Sequence, residues 1–214
     1  MKEHPLLFSA PMVRAILDGR KTQTRRIVKN ATGAFFDHSA YEPVEIRHRE
    51  WAFRDKSAKS LLTAAEGSPV FRCPYGTAGD RLWVKETHRH HLCAGADMEQ
   101  LHFAADGPCC PVDGERIKPW RPSIFMRRVD SRITLEIVAV RVERLQSITE
   151  EDALAEGIIR NPNLDGYCYD DEGRGFHGSR AVRAYENLWR SINGPDSWGR
   201  NPWVWVLDFK KTTK

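Results

Sequence analysis

The sequence predicts a single-domain α+β protein in which a small, mixed β-barrel is flanked by helices. Three observations support this prediction. Apolar and polar residues alternate as in a strand near Ile133 to Ile137, and the closing segment 203–209 is rich in the aromatic and β-branched residues that favour strands. Helical patterns lie between these stretches without the regular βαβ order of a doubly wound parallel sheet. A chain of 214 residues, 41% of them hydrophobic, can bury one core but is cramped for two.

The domain is expected to cover residues 1–214, with irregular insertions at about 29–72 and 88–122. The first insertion has no clean hydrophobic period, apart from helical character near residues 58–65. The second is rich in His, Cys, Pro and Gly, which is typical of loops. Both insertions are therefore predicted to be mostly irregular additions to the barrel.

The N-terminal part of the domain begins with a short predicted helix over residues 10–18. Its apolar side chains recur at helical spacing, and Gly19 suits the left-handed conformation that ends a helix. Strands are predicted directly after this turn, ending near Val28, and over residues 81–86, 132–140 and 203–209.

Two further helices are predicted towards the C-terminus. Ser147 and Glu150 have the spacing of a capping box, which predicts a short helix that Gly157 ends. Ser179 is expected to cap a longer amphipathic helix, and the Asn-Gly-Pro sequence at 193–195 is expected to end it.

Composition excludes several classes of protein. The longest apolar runs, such as residues 203–207, are far too short to span a membrane. The N-terminal residues 1–5 lack the apolar core of a signal peptide. We therefore expect a cytoplasmic protein with no membrane partner. The net charge of +4 permits nucleic-acid binding without requiring it.

The five cysteines do not predict a disulfide framework, because their number is odd and no secretory signal accompanies them. A zinc site is the alternative use of such residues, but no Cys-x-x-Cys pair is present, and adjacent cysteines seldom bind one ion together. We therefore predict no metal and no cofactor, and interpret these residues as parts of polar loops. The candidate ligands are His88, His90, His91, Cys73, Cys93, Cys109 and Cys110.

Basic residues cluster in two segments, near residues 20–29 and 118–132. A solvated basic face explains each cluster, and so does a surface that binds RNA or DNA through phosphate contacts and base stacking. The residue types alone leave both interpretations open. The candidate substrate- or nucleic-acid-binding residues are Arg20, Arg25, Arg26, Trp83, Trp120, Arg127 and Arg128.

Three segments together resemble the ASCH-domain family, a branch of the PUA-like β-barrel fold. The first is similar to the Gly-x-Lys-x-x-(Thr/Glu)-x-Arg signature of the family and is formed by Gly19, Lys21, Thr24 and Arg26. The second, residues 79–84, resembles the Gly-Asp turn that opens a barrel strand, and the third is the closing strand, residues 203–210. The length of the chain is more similar to the larger members found in phages and prophages.

The resemblance implies one of two activities. Some small bacterial members are amidohydrolases that deacetylate acetylcytidine with a Lys, a Thr and a Glu, to which Lys21, Thr24 and Glu156 correspond here. Such an enzyme would use no metal ion or cofactor. Other members are thought to bind RNA or to cut it.

The chemistry of these residues sets conditions on an enzymatic role. A lysine is useful at neutral pH only if burial or nearby positive charge lowers its pKa, and composition alone favours a solvated turn lysine for Lys21. Thr24 is an odd number of positions from Lys21, so both can face one pocket only if the turn carries Lys21 and the strand begins after it. Glu156 lies at the end of its short helix, where the helix dipole disfavours an anion by roughly 0.3–1 kcal/mol.

Two functions thus remain open from the sequence. One is an amidohydrolase that acts on a modified pyrimidine nucleoside, or on a related small amide, with Lys21, Thr24 and Glu156 as catalytic residues. The other is an RNA- or DNA-binding module of the same fold without that activity.

Overall fold

A computed structural model describes residues 1–29, 41–47, 50–55, 70–91, 98–107, 118–163, 165–169 and 177–212. The helix predicted near residues 58–65 lies outside the described residues. The observed elements confirm the predicted α+β class. In chain order they are β1 (Glu3–Leu7), α1 (Ala10–Leu17), β2 (Gln23–Ile27), β3 (Tyr41–Arg47), β4 (Glu50–Asp55), β5 (Arg81–Lys85), β6 (His88–His91), β7 (Gln100–Phe103), β8 (Thr134–Arg144), α2 (Glu150–Ala155), β9 (Ile159–Arg160), β10 (Tyr167–Cys168), α3 (Ala181–Asn193) and β11 (Trp203–Lys211).

The main sheet has five strands in the order β1-β5-β8-β11-β2. Only β1 and β5 are parallel, and the other pairs are antiparallel. The three strands predicted at residues 81–86, 132–140 and 203–209 are confirmed as its inner strands. The pairing of β8 with β11 has one register shift, because the consecutive residues Asp208 and Phe209 pair with Ala139 and Ile137 and leave Val138 as an extra residue in β8. Three two-stranded sheets complete the described fold.

The predicted barrel is open, because β1 and β2 are both edge strands and no ladder pairs them in the described part of the chain. A side chain bridges the two edges instead. The Arg26 guanidinium donates to the carbonyl oxygen of Leu7 in β1, at 2.8 Å, and to that of Arg25 in β2, at 3.3 Å. It also lies over the Phe8 ring, 5.4 Å from its centroid. The sheet is thus curled, with its two edges facing each other.

Strand β11 lies in the centre of the core and is buried on both faces. Val204 and Val206 pack into the main hydrophobic cluster, whereas Trp203 and Trp205 pack into a second cluster on the opposite face. Because one cluster covers each face of β11, neither face is solvated, and the apolar residues of 203–207 follow one another without interruption.

The helices form where the sequence predicts them, but their caps differ. Helix α1 ends before Gly19, whose φ is 75°, as predicted. The capping box predicted for α2 is wrong by two positions. Thr149 and Asp152 form the observed capping box, and Ser147 belongs to a preceding 3-10 turn.

Helix α3 does not use Ser179 as its cap. Its N-cap residue is Arg180, and the N–H of Ala181 donates to the Glu150 carboxylate at 2.8 Å. The first turn of α2 therefore supplies the acceptor that local sequence does not. Among the described residues, no helix is long and apolar enough to cross a membrane.

Candidate functional site

Lys21 is a buried lysine, placed by the turn between α1 and β2. Because β2 begins at Gln23, the turn carries Lys21, as the sequence analysis required. Its backbone N–H donates to the Ala15 carbonyl at 3.0 Å. Its ammonium donates to Glu156 Oε2 at 2.6 Å and to the Glu156 carbonyl oxygen at 2.7 Å. The side chain has no solvent-exposed surface, so a solvated turn lysine is excluded.

Glu156 is the residue that receives this ammonium, and it lies at the C-terminal end of α2. Gly157, with φ of 99°, ends the helix and turns the chain away directly after it. Lys21 contacts one carboxylate oxygen of Glu156. The other, Oε1, lies 3.5 Å from the Tyr185 hydroxyl, which donates to it, and 3.6 Å from Nη1 of Arg25. A carboxylate at a helix C-terminus is thus compensated by two cations and a phenol.

The surroundings alter the pKa of two of these groups. Burial lowers the pKa of Lys21; the Glu156 carboxylate opposes this effect, and Arg26 and Arg25 add to it. Burial also raises the pKa of Tyr185 well above its ordinary value, and the adjacent Glu156 carboxylate raises it further. Tyr185 is therefore a neutral hydrogen-bond donor, and Lys21 releases its proton more readily than an exposed lysine.

Arg25 lies in a cluster of carboxylates behind the pair. Its side chain is fully buried, 3.0 Å from Asp152 Oδ2 and 3.6 Å from Glu143 Oε2. Gln23, in the same strand, donates to Asp152 and also accepts from Arg25. The Arg25 guanidinium, which was a candidate for phosphate binding, is thus paired with carboxylates within the fold.

Thr24 is buried, but it does not join the ion pair. No hydrogen-bond partner for its hydroxyl is found among the residues that the structure describes. It lies between Gln23 and Arg25 in β2, and therefore on the opposite face of that strand. The structure brings Lys21 and Glu156 together, and it leaves the Thr24 hydroxyl unpaired.

A cavity of about 660 Å³ lies between the two sheet edges and α3. Glu156 faces it, whereas neither Lys21 nor Thr24 does. A ligand in this cavity would therefore meet the carboxylate first, with the lysine behind it. The lining is formed by Pro5, Leu6, Leu7, Phe8, Ser9, Met12, Arg25, Arg26, Ile27, Tyr75, Thr87, Ser123, Glu156, Tyr169, Tyr185, Leu188, Trp189, Ser191, Ile192 and Asn193.

Sequence reasoning missed the contribution of α3 to this site. Tyr185 fits the apolar face of an amphipathic helix, and nothing in its local pattern separates a core tyrosine from one that faces a carboxylate. The only available signal was that a buried tyrosine hydroxyl needs a partner.

The other predicted binding residues lie outside the cavity lining, apart from Arg26. Arg20 is paired with Asp18, and Lys85 lies over the Trp83 ring. The remaining three have partners on the surface: Trp120 stacks with Arg89, Arg127 pairs with Asp130, and Arg128 pairs with Glu3.

No cluster of three or more His, Cys, Asp or Glu side chains suitable for a metal ion occurs in the part of the chain that the structure describes. The candidate ligands Cys93, Cys109 and Cys110 lie outside that part. His88 contacts the Glu86 carbonyl through Nδ1, and burial raises the pKa of the Cys73 thiol to about 12. The prediction of a metal-free protein stays a prediction.

Comparison of the chain with models of protein families, with curated proteins and with solved structures finds no match. Any function assigned to this site therefore depends on its geometry and on the motifs in the sequence.

Proposed function

We propose that this chain is an amidohydrolase that acts on a modified pyrimidine nucleoside, such as N4-acetylcytidine, or on a related small amide, without a metal ion. The observation that carries the proposal is the Glu156 carboxylate, which faces a cavity while the buried Lys21 ammonium holds it at 2.6 Å. Placing a charged pair in the interior is costly, and such pairs with altered pKa values cluster at functional sites.

In the proposed reaction, water attacks the carbonyl carbon of the amide. Glu156 takes a proton from that water and then delivers it to the amide nitrogen as the bond from carbon to nitrogen breaks. N4-acetylcytidine and water would give cytidine and acetic acid. This assignment makes Glu156 the general base and acid, because it is the member of the pair that meets the cavity.

Lys21 acts through Glu156 in this proposal. Its ammonium fixes the carboxylate with two hydrogen bonds, one to the side chain and one to the backbone of the same residue. The Thr24 hydroxyl has no part in this step, because Thr24 does not face the cavity.

The form of the cavity supports a nucleoside-sized substrate. Its volume of about 660 Å³ falls among those of ordinary small-molecule sites. Aromatic rings of Phe8, Tyr185 and Trp189 offer apolar surface to a planar base, and Asn193 offers hydrogen bonds. The resemblance to the ASCH-domain family, with its PUA-like barrel, supports the same assignment, since Lys21 and Glu156 match the residues of its acetylcytidine-hydrolysing members.

The test is to incubate the purified chain with N4-acetylcytidine in the presence of EDTA and to follow the release of cytidine by chromatography. The wild type should turn over the substrate. Lys21→Ala and Glu156→Gln should each lower kcat by at least about a hundredfold, the range of a lost general acid or base. Lys210→Ala is the matched control, because Lys210 is an exposed lysine paired with Glu136.

Removing one member of a buried ion pair destabilises a protein by roughly 3–5 kcal/mol, so the fold must be followed by circular dichroism. The double variant Lys21→Met with Glu156→Leu removes both charges and should stay folded and inactive. An enzyme whose turnover survives Lys21→Ala would contradict the proposal, and so would a folded wild type that leaves acetylcytidine intact.

A further inference from the structure

The segment 118–129 presents an ordered surface with exposed apolar side chains. Ile124 and Phe125 each keep 60% of their surface exposed, and Val129 keeps 80%. Met126 between them is buried and anchors the segment to the core. Exposed apolar groups on a fixed backbone mark a contact surface more strongly than scattered single residues do.

The backbone of this segment is held in place before any ligand arrives. Arg121 exchanges two backbone hydrogen bonds with His88, at 2.8 and 3.2 Å. The Arg89 guanidinium donates to the carbonyl of Lys118 at 3.3 Å and stacks over Trp120 at 4.2 Å. A partner would therefore pay little conformational entropy to order this surface.

The charges of the segment favour an anionic partner. Residues 118–130 contain four cations, Lys118, Arg121, Arg127 and Arg128, and one acid, Asp130. Three of these four cations have local acidic partners. Arg127 pairs with Asp130, yet its own side chain remains 70% exposed, and the pairing raises its pKa, so it stays charged. Arg128 and Lys118 pair with Glu3 and Glu99.

This surface adjoins the mouth of the cavity. Ser123, directly before the two exposed residues, lines the cavity together with Thr87. Lys85 also holds this segment against β5, because its ammonium donates to the Ile124 carbonyl and lies over the Trp83 ring, 5.4 Å from the centroid. A chain that lies on segment 118–129 can therefore place one of its units at the cavity.

We infer that segment 118–129 binds single-stranded nucleic acid, which carries the modified base into the adjacent cavity. Phe125 and Trp120 supply stacking surfaces, Ile124 and Val129 contact sugars, and Arg121 and Arg127 contact phosphates. The inference rests on the proposed function for the identity of the base in the cavity. It extends the substrate from a free nucleoside to the same nucleoside within a polynucleotide.

The test measures binding without any turnover. Fluorescence anisotropy of a labelled, unmodified 12-mer, as RNA and as DNA in separate arms, is recorded between 50 and 300 mM salt with the wild type. Two phosphate contacts, from Arg121 and Arg127, give a slope of log K against log salt of about −1.4, and Arg127→Ala should make it shallower by about 0.7. Phe125→Ala should weaken binding about fivefold or more, the loss of one stacked base.

Two variants serve as matched controls. Val138→Ala removes another exposed aliphatic side chain, and Arg200→Ala removes an exposed arginine, both outside the segment and outside the cavity lining. Both should bind as the wild type does. Wild-type protein that binds neither oligonucleotide at 50 mM salt would overturn the inference, as would binding that Phe125→Ala, Arg121→Ala and Arg127→Ala leave unchanged. Self-association through the segment in place of oligonucleotide binding, detected by ultracentrifugation, would overturn it as well.

The two proposals fail separately. The binding assay uses an unmodified oligonucleotide, so it reports on the surface formed by segment 118–129 and not on the reaction at Glu156. If the oligonucleotide binds and acetylcytidine is not hydrolysed, the surface stands and the amidohydrolase proposal is lost. If hydrolysis occurs, Phe125→Ala should lower kcat/KM for an oligonucleotide that contains one acetylcytidine about fivefold and leave kcat/KM for the free nucleoside unchanged. An equal effect of Phe125→Ala on kcat/KM for both substrates would overturn the inference.

Discussion

The two carboxylate oxygens of Glu156 have different neighbours. One oxygen anchors the side chain, and the other can take part in the reaction. Oε2 is fixed by Lys21 at 2.6 Å, whereas the contacts of Oε1 among the described residues are the longer ones with Tyr185 and Arg25, at 3.5 and 3.6 Å. The loosely held oxygen is the one that can exchange partners with a water molecule. We therefore expect the proton of the reaction to enter at Oε1.

Tyr185→Phe tests this reading of the pair. Because the phenol donates to Oε1, its removal should lower kcat about tenfold and change KM little. A tenfold change corresponds to the free energy of one hydrogen bond to a charged group. Tyr167→Phe, outside the cavity lining, should have no effect. The pKa of Tyr185 is raised well above its ordinary value, so the phenol keeps its proton at alkaline pH. The wild type and Tyr185→Phe should therefore show parallel rate profiles above pH 9, and profiles that diverge there would contradict the assignment.

At the scale of elements, the turn after α2 holds Glu156 against Lys21. Gly157 has φ of 99°, and a Cβ at this position would lie 3.2 Å from the Ala15 Cβ and 3.4 Å from the Lys21 Cβ. Gly157→Ala should therefore cost roughly 1–3 kcal/mol of unfolding free energy and also reduce activity, because the new methyl group contacts Ala15 tightly and lies against Lys21 in the turn that holds the ion pair. Urea denaturation and kcat measure the two effects.

Gly194 provides the matched control, since its φ is 97° but nothing lies within 4 Å of the site of a Cβ. Gly194→Ala should bring the backbone cost alone and leave kcat unchanged. Equal losses of activity in the two variants would show that the contact with Lys21 is irrelevant.

The start of α2 permits a direct comparison between the predicted and the observed cap. Thr149 accepts from the Asp152 N–H at 3.1 Å, and Asp152 accepts in return from the Thr149 N–H at 3.2 Å. Thr149→Ala should lower the unfolding free energy by about 1 kcal/mol. Ser147→Ala, at the position that local sequence favoured, should change it by less than about 0.5 kcal/mol. The reverse order in thermal or urea unfolding would contradict the observed capping box.

At the scale of the whole molecule, the carboxylate cluster links α2 to three strands of the sheet. Asp152 contacts Arg25 of β2 at 3.0 Å and Arg141 of β8 at 3.2 Å, and Gln23 joins it to Asp208 of β11. Burial by itself would raise the pKa of Asp152. Hydrogen bonds from the Thr149 backbone and Gln23, with the charges of both arginines, lower it instead.

A lowered pKa means that the folded state binds fewer protons than the unfolded state in acid. The stability from Asp152 is therefore present above the ordinary pKa of about 3.9 and is lost as pH falls through the lower, folded value. Asp152→Asn should cost roughly 3 kcal/mol near pH 7 and progressively less below pH 4, measured by urea unfolding from pH 3 to 7. Asp18→Asn, in an exposed pair with Arg20, should cost less than about 1 kcal/mol at neutral pH. A difference for Asp152→Asn that does not vary with pH would contradict this account.

Local patterns in the sequence predict the parts of this fold that depend on neighbours in the chain. Helix α1, its stop at Gly19 and the inner strands of the sheet follow from periodicity and turn chemistry. The burial of Arg25 does not, because its partner Asp152 lies more than a hundred residues away along the chain. The resemblance to a known motif, rather than any local pattern, brought Lys21 and Glu156 together in the prediction, and only the folded sheet shows which of them meets the cavity.

The pairing of β2 with β11 has a consequence for the order in which the protein is made. Thr24 aligns with Leu207, so the strand that follows Lys21 has no ladder partner until residues beyond 200 have been synthesised. At roughly 5–20 residues per second, about 10–40 s pass on the ribosome between the two strands. During that interval Glu156 also emerges, while β2, the strand that orients Lys21, still has no partner. The candidate site is therefore among the last parts of the molecule to assemble, and a nascent chain arrested before residue 203 would carry both charges without the sheet that buries them.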